Sequence, residues 1–327
     1  WEYNGFLNYD RTPKQFGYDP RMVNQGDVLP IDAPPIQRCE LGERKRIEVF
    51  ASHYGRQDHG PVTFFWKLSG IDALGRITQT IASGSKRIPF RKHRVDLAET
   101  VEFTLPEVTA LCTLWVHAVA DDGRIVASNY VQFFATPEDP LLREDTALGI
   151  VARAGIAAWN RAEWSGAAST PDEAAKAGQC YGFGFGFFEW NIGMSREELA
   201  RAKRLRILCE ASSRRMDAPQ TDAHGHPTAF DLRLNGVRLY HEILPDHPHD
   251  SRGALSYLKG NKGCYGYLAN MVAEGELLER IRAASGGEAP LVLRCAVPDE
   301  PGLQGGLTLY NGDCGRYPIG PTVIAEW

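Results

Sequence analysis

Apolar residues recur at every second position over most of the chain, in short runs broken by turn signals, and this pattern predicts strands rather than helices. In "RIEVFAS" Ile47, Val49 and Ala51 share one face; in "VTFFWKLSG" Val62, Phe64, Trp66 and Leu68 do the same. "CTLWVHAVADDGRIVASNYVQFF" reads as two strands joined at Asp122-Gly123, with Cys112, Leu114 and Val116 on one face and Trp115 on the other. A stronger hairpin signal is "FDLRLNGVRLY", where Phe230, Leu232 and Leu234 alternate up to Asn235-Gly236 and Val237 and Leu239 follow, because both turn positions tolerate positive φ. "APLVLRCAV" and "GGLTLYNG" add further strands. The helical period appears in two places, "SREELARAKRL" and "EGELLERIRAAS". The first opens with Ser195 and Glu198 at capping-box spacing, each side chain satisfying a free backbone N–H at the helix start.

Two stretches rich in Pro and charge, "LPIDAPP" (Leu29 to Pro35) and "TPEDPLLRED" (Thr136 to Asp145), read as linkers. They divide the chain into a head (1–32), a middle block (33–137) and a tail (138–327). The expected fold class is mainly β: an immunoglobulin-like β-sandwich followed by a jelly-roll β-sandwich with two short helices. Trp66 is expected in the core of the first sandwich.

With 43% hydrophobic and 24% charged residues, composition excludes a disordered or collagen-like chain. A net charge of −5 offers no basic face for a phosphate backbone, so nucleic acid is not an expected partner. No apolar run reaches the roughly 20 residues that span a bilayer. Seven cysteines contain no C-x-x-C pair; Cys112 and Cys295 lie on apolar strand faces, and buried thiols are expected rather than a zinc ribbon or a disulfide framework.

The opening stretch "GFLNYDRTPK" (Gly5 to Lys14) resembles the segment G-[LI]-x-x-x-D-R-x-P-K that closes the catalytic (β/α)8 barrel of family 2 glycoside hydrolases, through Gly5, Asp10, Arg11, Pro13 and Lys14. Tail segments "DSRGALSY", "YGYL" and "GRYPIGPT" are similar to the C-terminal jelly roll of large β-galactosidase-like members. The resemblance implies that residues 1–32 are the end of a barrel plus a linker, that 33–137 are the immunoglobulin-like domain and that 138–327 are a galactose-binding-like jelly roll. It implies as well that both catalytic carboxylates lie upstream, so no catalytic residue and no cofactor are expected in this chain, and that its partner is the barrel of the same parent chain. A targeting signal would then lie upstream of residue 1, with a secreted or periplasmic location. Glu2-Tyr3-Asn4 stands where glucuronidase-like members carry Asn-x-Lys, so a neutral hexoside is the expected substrate of the parent enzyme.

An oligo- or polysaccharide is the ligand class that the tail would take. Sugar-binding sandwiches stack pyranose faces on aromatic rings and fix hydroxyls with Asp, Asn, Arg or His. In "CYGFGFGFFEWNIG" the alternation of Phe183, Phe185 and Phe187 with Gly182, Gly184 and Gly186 predicts a core strand whose bare face admits close backbone approach. Glu189, Trp190 and Asn191, where the alternation stops, are the binding candidates, joined by Asp250 and Arg252 on a loop and by Arg316 and Tyr317 near the last strand. His224 and His226, and His247 and His249 beside Asp250, have ligand-like spacing, but their Pro-, Gly- and Asp-rich surroundings read as solvated turns and no metal site is expected. Two other readings are a free-standing carbohydrate-binding or adhesion protein, and a self-sufficient sandwich enzyme acting on polysaccharide.

Overall fold

Strands dominate the computed structural model, which describes residues 25–214, 227–286 and 289–327. The barrel-like segment Gly5 to Lys14 and the His224/His226 pair lie outside the described residues. The chain divides into two compact units, one built on residues before Asp139 and the other on Asp139–Trp327.

The first unit contains eight strands: β1 (Asp27–Val28), β2 (Ile36–Cys39), β3 (Arg44–His53), β4 (Val62–Asp72), β5 (Ile77–Ile88), β6 (Arg94–Thr104), β7 (Ala110–Val119) and β8 (Ile125–Ala135). They form a three-stranded sheet, β1-β3-β6, and a five-stranded sheet, β2-β8-β7-β4-β5. All pairs are antiparallel except β2 with β8. The alternating residues do what their period requires: Ile47, Val49 and Ala51 from one sheet and Val62, Phe64, Leu68, Cys112, Leu114 and Val116 from the other meet in a single core. Trp66 packs against that core while keeping part of its surface in solvent. Leu29, in the stretch read as a linker, is completely buried there; the Pro-rich composition around it hides an apolar side chain that joins the sandwich.

The second unit holds β9 (Arg143–Thr146), β10 (Gly149–Arg153), β11 (Arg161–Trp164), α1 (Pro171–Ala177), β12 (Gln179–Phe183), β13 (Gly186–Asn191), α2 (Arg196–Arg201), β14 (Arg204–Ser213), β15 (Thr228–Leu234), β16 (Val237–Leu244), α3 (Ala254–Leu258), β17 (Tyr267–Glu274), α4 (Gly275–Ala283), β18 (Val292–Val297), β19 (Gly306–Tyr310) and β20 (Thr322–Glu326). One sheet runs β12-β19-β14-β20-β10-β9 with β17 on the other edge of β14; the second runs β11-β13-β18-β15-β16. Their inner faces share one core, with Ile207, Leu309 and Val323 from the first sheet and Phe188, Trp190, Leu232 and Leu293 from the second. Both units are thus two-sheet sandwiches, and the fold class is mainly β.

Local sequence explains most boundaries. The capping box at Ser195 and Glu198 is formed, with both reciprocal hydrogen bonds in place. At the Asn235-Gly236 turn both residues take positive φ, 49° and 79°, the geometry of the tightest hairpin type. Four helices are described where two were expected: α1 has its own capping box at Thr170 and Glu173, and α3 spans five residues, too few for an apolar period to register. All seven cysteines are buried and free. No described helix is long and apolar enough to cross a membrane.

Candidate functional site

The outer face of the five-stranded sheet of the second unit is built from two cross-strand rows. Backbone register aligns Arg161, Glu189, Arg294, Arg233 and Arg238 in one row, and Glu163, Phe187, Ala296, Asp231 and His241 in the next. Such directly opposed side chains lie within contact distance. The charges of the two rows compensate one another: Glu189 accepts from Arg294 at 2.7 Å, and the buried Asp231 of the second row accepts from Arg233 at 2.5 Å and sits 2.7 Å from His241 Nδ1. The Arg294 and Arg161 guanidiniums lie 4.1 and 5.2 Å from the centre of the Phe187 ring, within cation–π range.

A cleft of about 500 Å³ opens on this face, lined by Glu163, Trp164, Phe185, Phe187, Asp231, Arg233 and Arg294, among others. Phe185 is 40% exposed at its rim. Trp164 borders the cleft but turns its indole inward, 5.2 Å from the Phe188 ring and against Gly182 of the other sheet, where a Cβ would lie 2.1 Å from it. The indole N–H of Trp164 is buried and has no hydrogen-bond partner. The cleft therefore offers aromatic surface beside guanidinium donors and carboxylate acceptors, the mixture with which proteins hold a polyhydroxylated ring.

The sequence candidates fall in three places. Glu189 is on the charged row, half-buried against Arg294. Trp190 is not a surface platform: it is 1% exposed, and its indole N–H donates to the Gly155 carbonyl at 2.9 Å. Strand parity explains the correction, since β13 turns Phe188 and Trp190 inward and Phe187 and Glu189 outward. For the same reason Phe183, Phe185 and Phe187 are not core residues. The Gly-Phe run is two strands, β12 and β13, in different sheets, with Phe185 in the connection between them. Asn191 is exposed at the end of β13, its backbone N–H donating to Asn160.

Asp250, Arg252, Arg316 and Tyr317 are brought together at a second place, around the buried Tyr265. Arg252 forms a two-pronged pair with Asp250 at 2.9 and 2.5 Å, and Tyr265 donates to the same carboxylate at 3.1 Å. Arg252 and Arg316 approach the Tyr265 ring at 5.1 and 5.9 Å, and Arg316 lies 5.2 Å from the Tyr317 ring. Beneath them Glu210, fully buried on β14, accepts backbone N–H bonds from Gly266, Arg316 and Tyr317 at 2.8 to 2.9 Å. Burial pushes the Glu210 carboxyl up to about 8, against the pull of these three donors toward the charged form. Here the polar groups are spent on one another, binding the loops after β16, α3 and β19 to the sheet.

Phe185, Phe187, Glu163, Arg233 and Arg294 were not singled out as binding residues from sequence. Parity was the available signal: Arg294 stands between Leu293 and Cys295, both buried, and must face away from the core.

No protein-family model matches the chain, and no curated protein matches it. Among solved structures the chain is similar to the tandem CBM51 modules of the family 98 glycoside hydrolase of Streptococcus pneumoniae, at 9% identity over 86% of this chain and 84% of that one, with a TM-score of 0.28. It is similar also to a SusE-like protein, at 10% identity over 92% and 98% of the two chains and a TM-score of 0.23. A calcium-binding mutant of Bacteroides uniformis β-glucuronidase 2 matches at 10% identity over 99% of this chain and 33% of that one, with a TM-score of 0.22. Similarities at these scores define no family.

Proposed function

We propose that the chain is a carbohydrate-binding pair of β-sandwiches, that it takes an oligo- or polysaccharide in the cleft on the outer face of the β11-β13-β18-β15-β16 sheet, and that it serves as the non-catalytic C-terminal accessory region of a family 2 glycoside hydrolase. The observation that carries the binding reading is the juxtaposition of Phe185 and Phe187 with Arg233, Arg294 and Glu163 around one open concavity. A pyranose presents an apolar face bordered by hydroxyls; the rings take the face and the charged groups take the hydroxyls, as acceptor or donor. Supporting the accessory reading is the barrel-closing resemblance at Gly5 to Lys14, which a free-standing adhesion protein leaves without a role.

Affinity electrophoresis of the purified chain through gels containing plant and bacterial polysaccharides, galactans and xyloglucan included, tests the binding reading. Selective retardation is expected on at least one polymer, weakened about tenfold by Phe185→Ala, the order of a lost aromatic contact. Unretarded migration through every polymer would leave the cleft without this function.

A further inference from the structure

Among the described residues of the first unit, Asp27, His53 and His59 form a compact group whose ligating atoms all lie within 4.8 Å of one another. The fold assembles it from three segments. Antiparallel pairing of β1 with β3 sets Asp27 directly opposite His53, and the loop between β3 and β4 folds back to bring in His59. The Asp27 carboxylate stands 2.5 Å from His53 Nδ1 and 3.0 Å from His59 Nε2, and it accepts the Gly55 N–H at 2.8 Å. Position 55 is built for this approach: a Cβ there would lie 2.3 Å from an Asp27 carboxylate oxygen.

Hydrogen bonding alone does not complete the group. His53 is fully buried, its ring stacked on Phe90 at 4.9 Å and 3°, and its Nε2 has no hydrogen-bond partner. Whichever tautomer the ring takes, one buried nitrogen is left over, although buried polar atoms are ordinarily satisfied. Among the described residues, the ion pairs of the partly buried Asp27 are with the two histidines, whose charge depends on their protonation.

We propose that Asp27, His53 and His59 bind a divalent transition-metal ion of the zinc type. Two imidazoles and one carboxylate are borderline donors, suited to zinc and poorly suited to calcium or magnesium, which take oxygen ligands. Because the three residues come from β1, the end of β3 and the following loop, the ion fastens the entering strand and that loop to the sandwich.

The test uses the whole chain, stripped with EDTA and titrated with zinc, with retained metal counted by mass spectrometry after gel filtration and the thermal midpoint followed in parallel. About one zinc per chain and a midpoint that rises with zinc are expected, since an ion that binds only the folded state stabilises it. His59→Ala and Asp27→Asn are each expected to weaken binding at least tenfold, roughly the smallest loss that damage to a metal site produces, while His249→Ala leaves it unchanged. Should a variant fail to fold, cobalt(II) added to the wild-type chain gives the answer: visible d–d bands without a near-ultraviolet thiolate band are expected from a nitrogen and oxygen site. Failure of the wild type to retain zinc, full retention by His59→Ala, or a thiolate band from the cysteines would overturn the assignment.

Discussion

The cleft on the five-stranded sheet and the loop cluster around Tyr265 are made of the same residue types and differ in what those residues have left to offer. In both, guanidiniums lie over an aromatic ring and carboxylates hold the guanidiniums. At Tyr265 the aromatic ring is buried, Asp250 is taken up by Arg252 and by the tyrosine hydroxyl, and Glu210 is taken up by three backbone N–H groups. At the cleft, Phe185 is open to solvent, and Glu163, Arg233 and Arg294 keep part of their side chains in solvent. A list of Arg, Asp and Tyr chosen by type cannot separate a network that locks loops from a surface that takes a ligand. The separation lies in burial and in how many hydrogen-bonding positions remain free.

Substitutions can break this contrast, and the largest effect should come from the core beneath the cleft. Trp190→Ala is expected to cost about 3–5 kcal/mol, as for other large aromatic truncations, seen as a large fall in the urea midpoint; a well-folded variant with weakened binding alone would return Trp190 to the binding surface. Glu210→Ala comes next. It strands three N–H groups at roughly 1 kcal/mol or more each, so a loss of about 3 kcal/mol in the same assay is expected, and a loss below about 1 kcal/mol would show that the loops hold without it.

A smaller effect comes from pH. The folded pKa of Glu210, about 8, lies above the ordinary value near 4.3, so its protonated form is favoured by folding. The stability tied to that proton is complete below about pH 4.3 and is lost as pH rises through 8. The urea midpoint is therefore expected to fall between pH 7 and pH 9 in the wild type and to fall less in Glu210→Gln; equal slopes would remove Glu210 as the cause. Smallest of all, Arg294→Ala should change stability by less than about 1 kcal/mol, since its pair with Glu189 is partly solvated, while reducing saccharide retardation. Unchanged retardation would take Arg294 out of the site.

Much of the fold was legible because its signals are local. Period-2 runs located β3, β4, β7 and β15, Asn235-Gly236 located a turn, and Ser195 with Glu198 located α2. Asp122-Gly123 was read correctly as a turn, although only Gly123 takes positive φ. The sites were less legible because they depend on register between distant strands. Nothing in the sequence aligns Arg294 with both Glu189 and Arg233, or sets Asp27 opposite His53; those pairings come from the order of strands in the sheets. Asp250 with Arg252 and Arg316 with Tyr317 were separate binding candidates in sequence; the fold brings all four together around Tyr265, where they hold loops. Trp190 was misread because the bulky odd positions of the run suggest the core face, whereas in both β12 and β13 the even positions, Cys180, Gly182, Phe188 and Trp190, are the buried ones.

The most direct test of the contrast is isothermal titration of the saccharide that retards the wild type, run on Phe185→Ala and Arg316→Ala side by side. About a tenfold loss of affinity is expected for Phe185→Ala, with wild-type affinity for Arg316→Ala. The reverse order would move the binding site to the Tyr265 loops and contradict the assignment of the cleft.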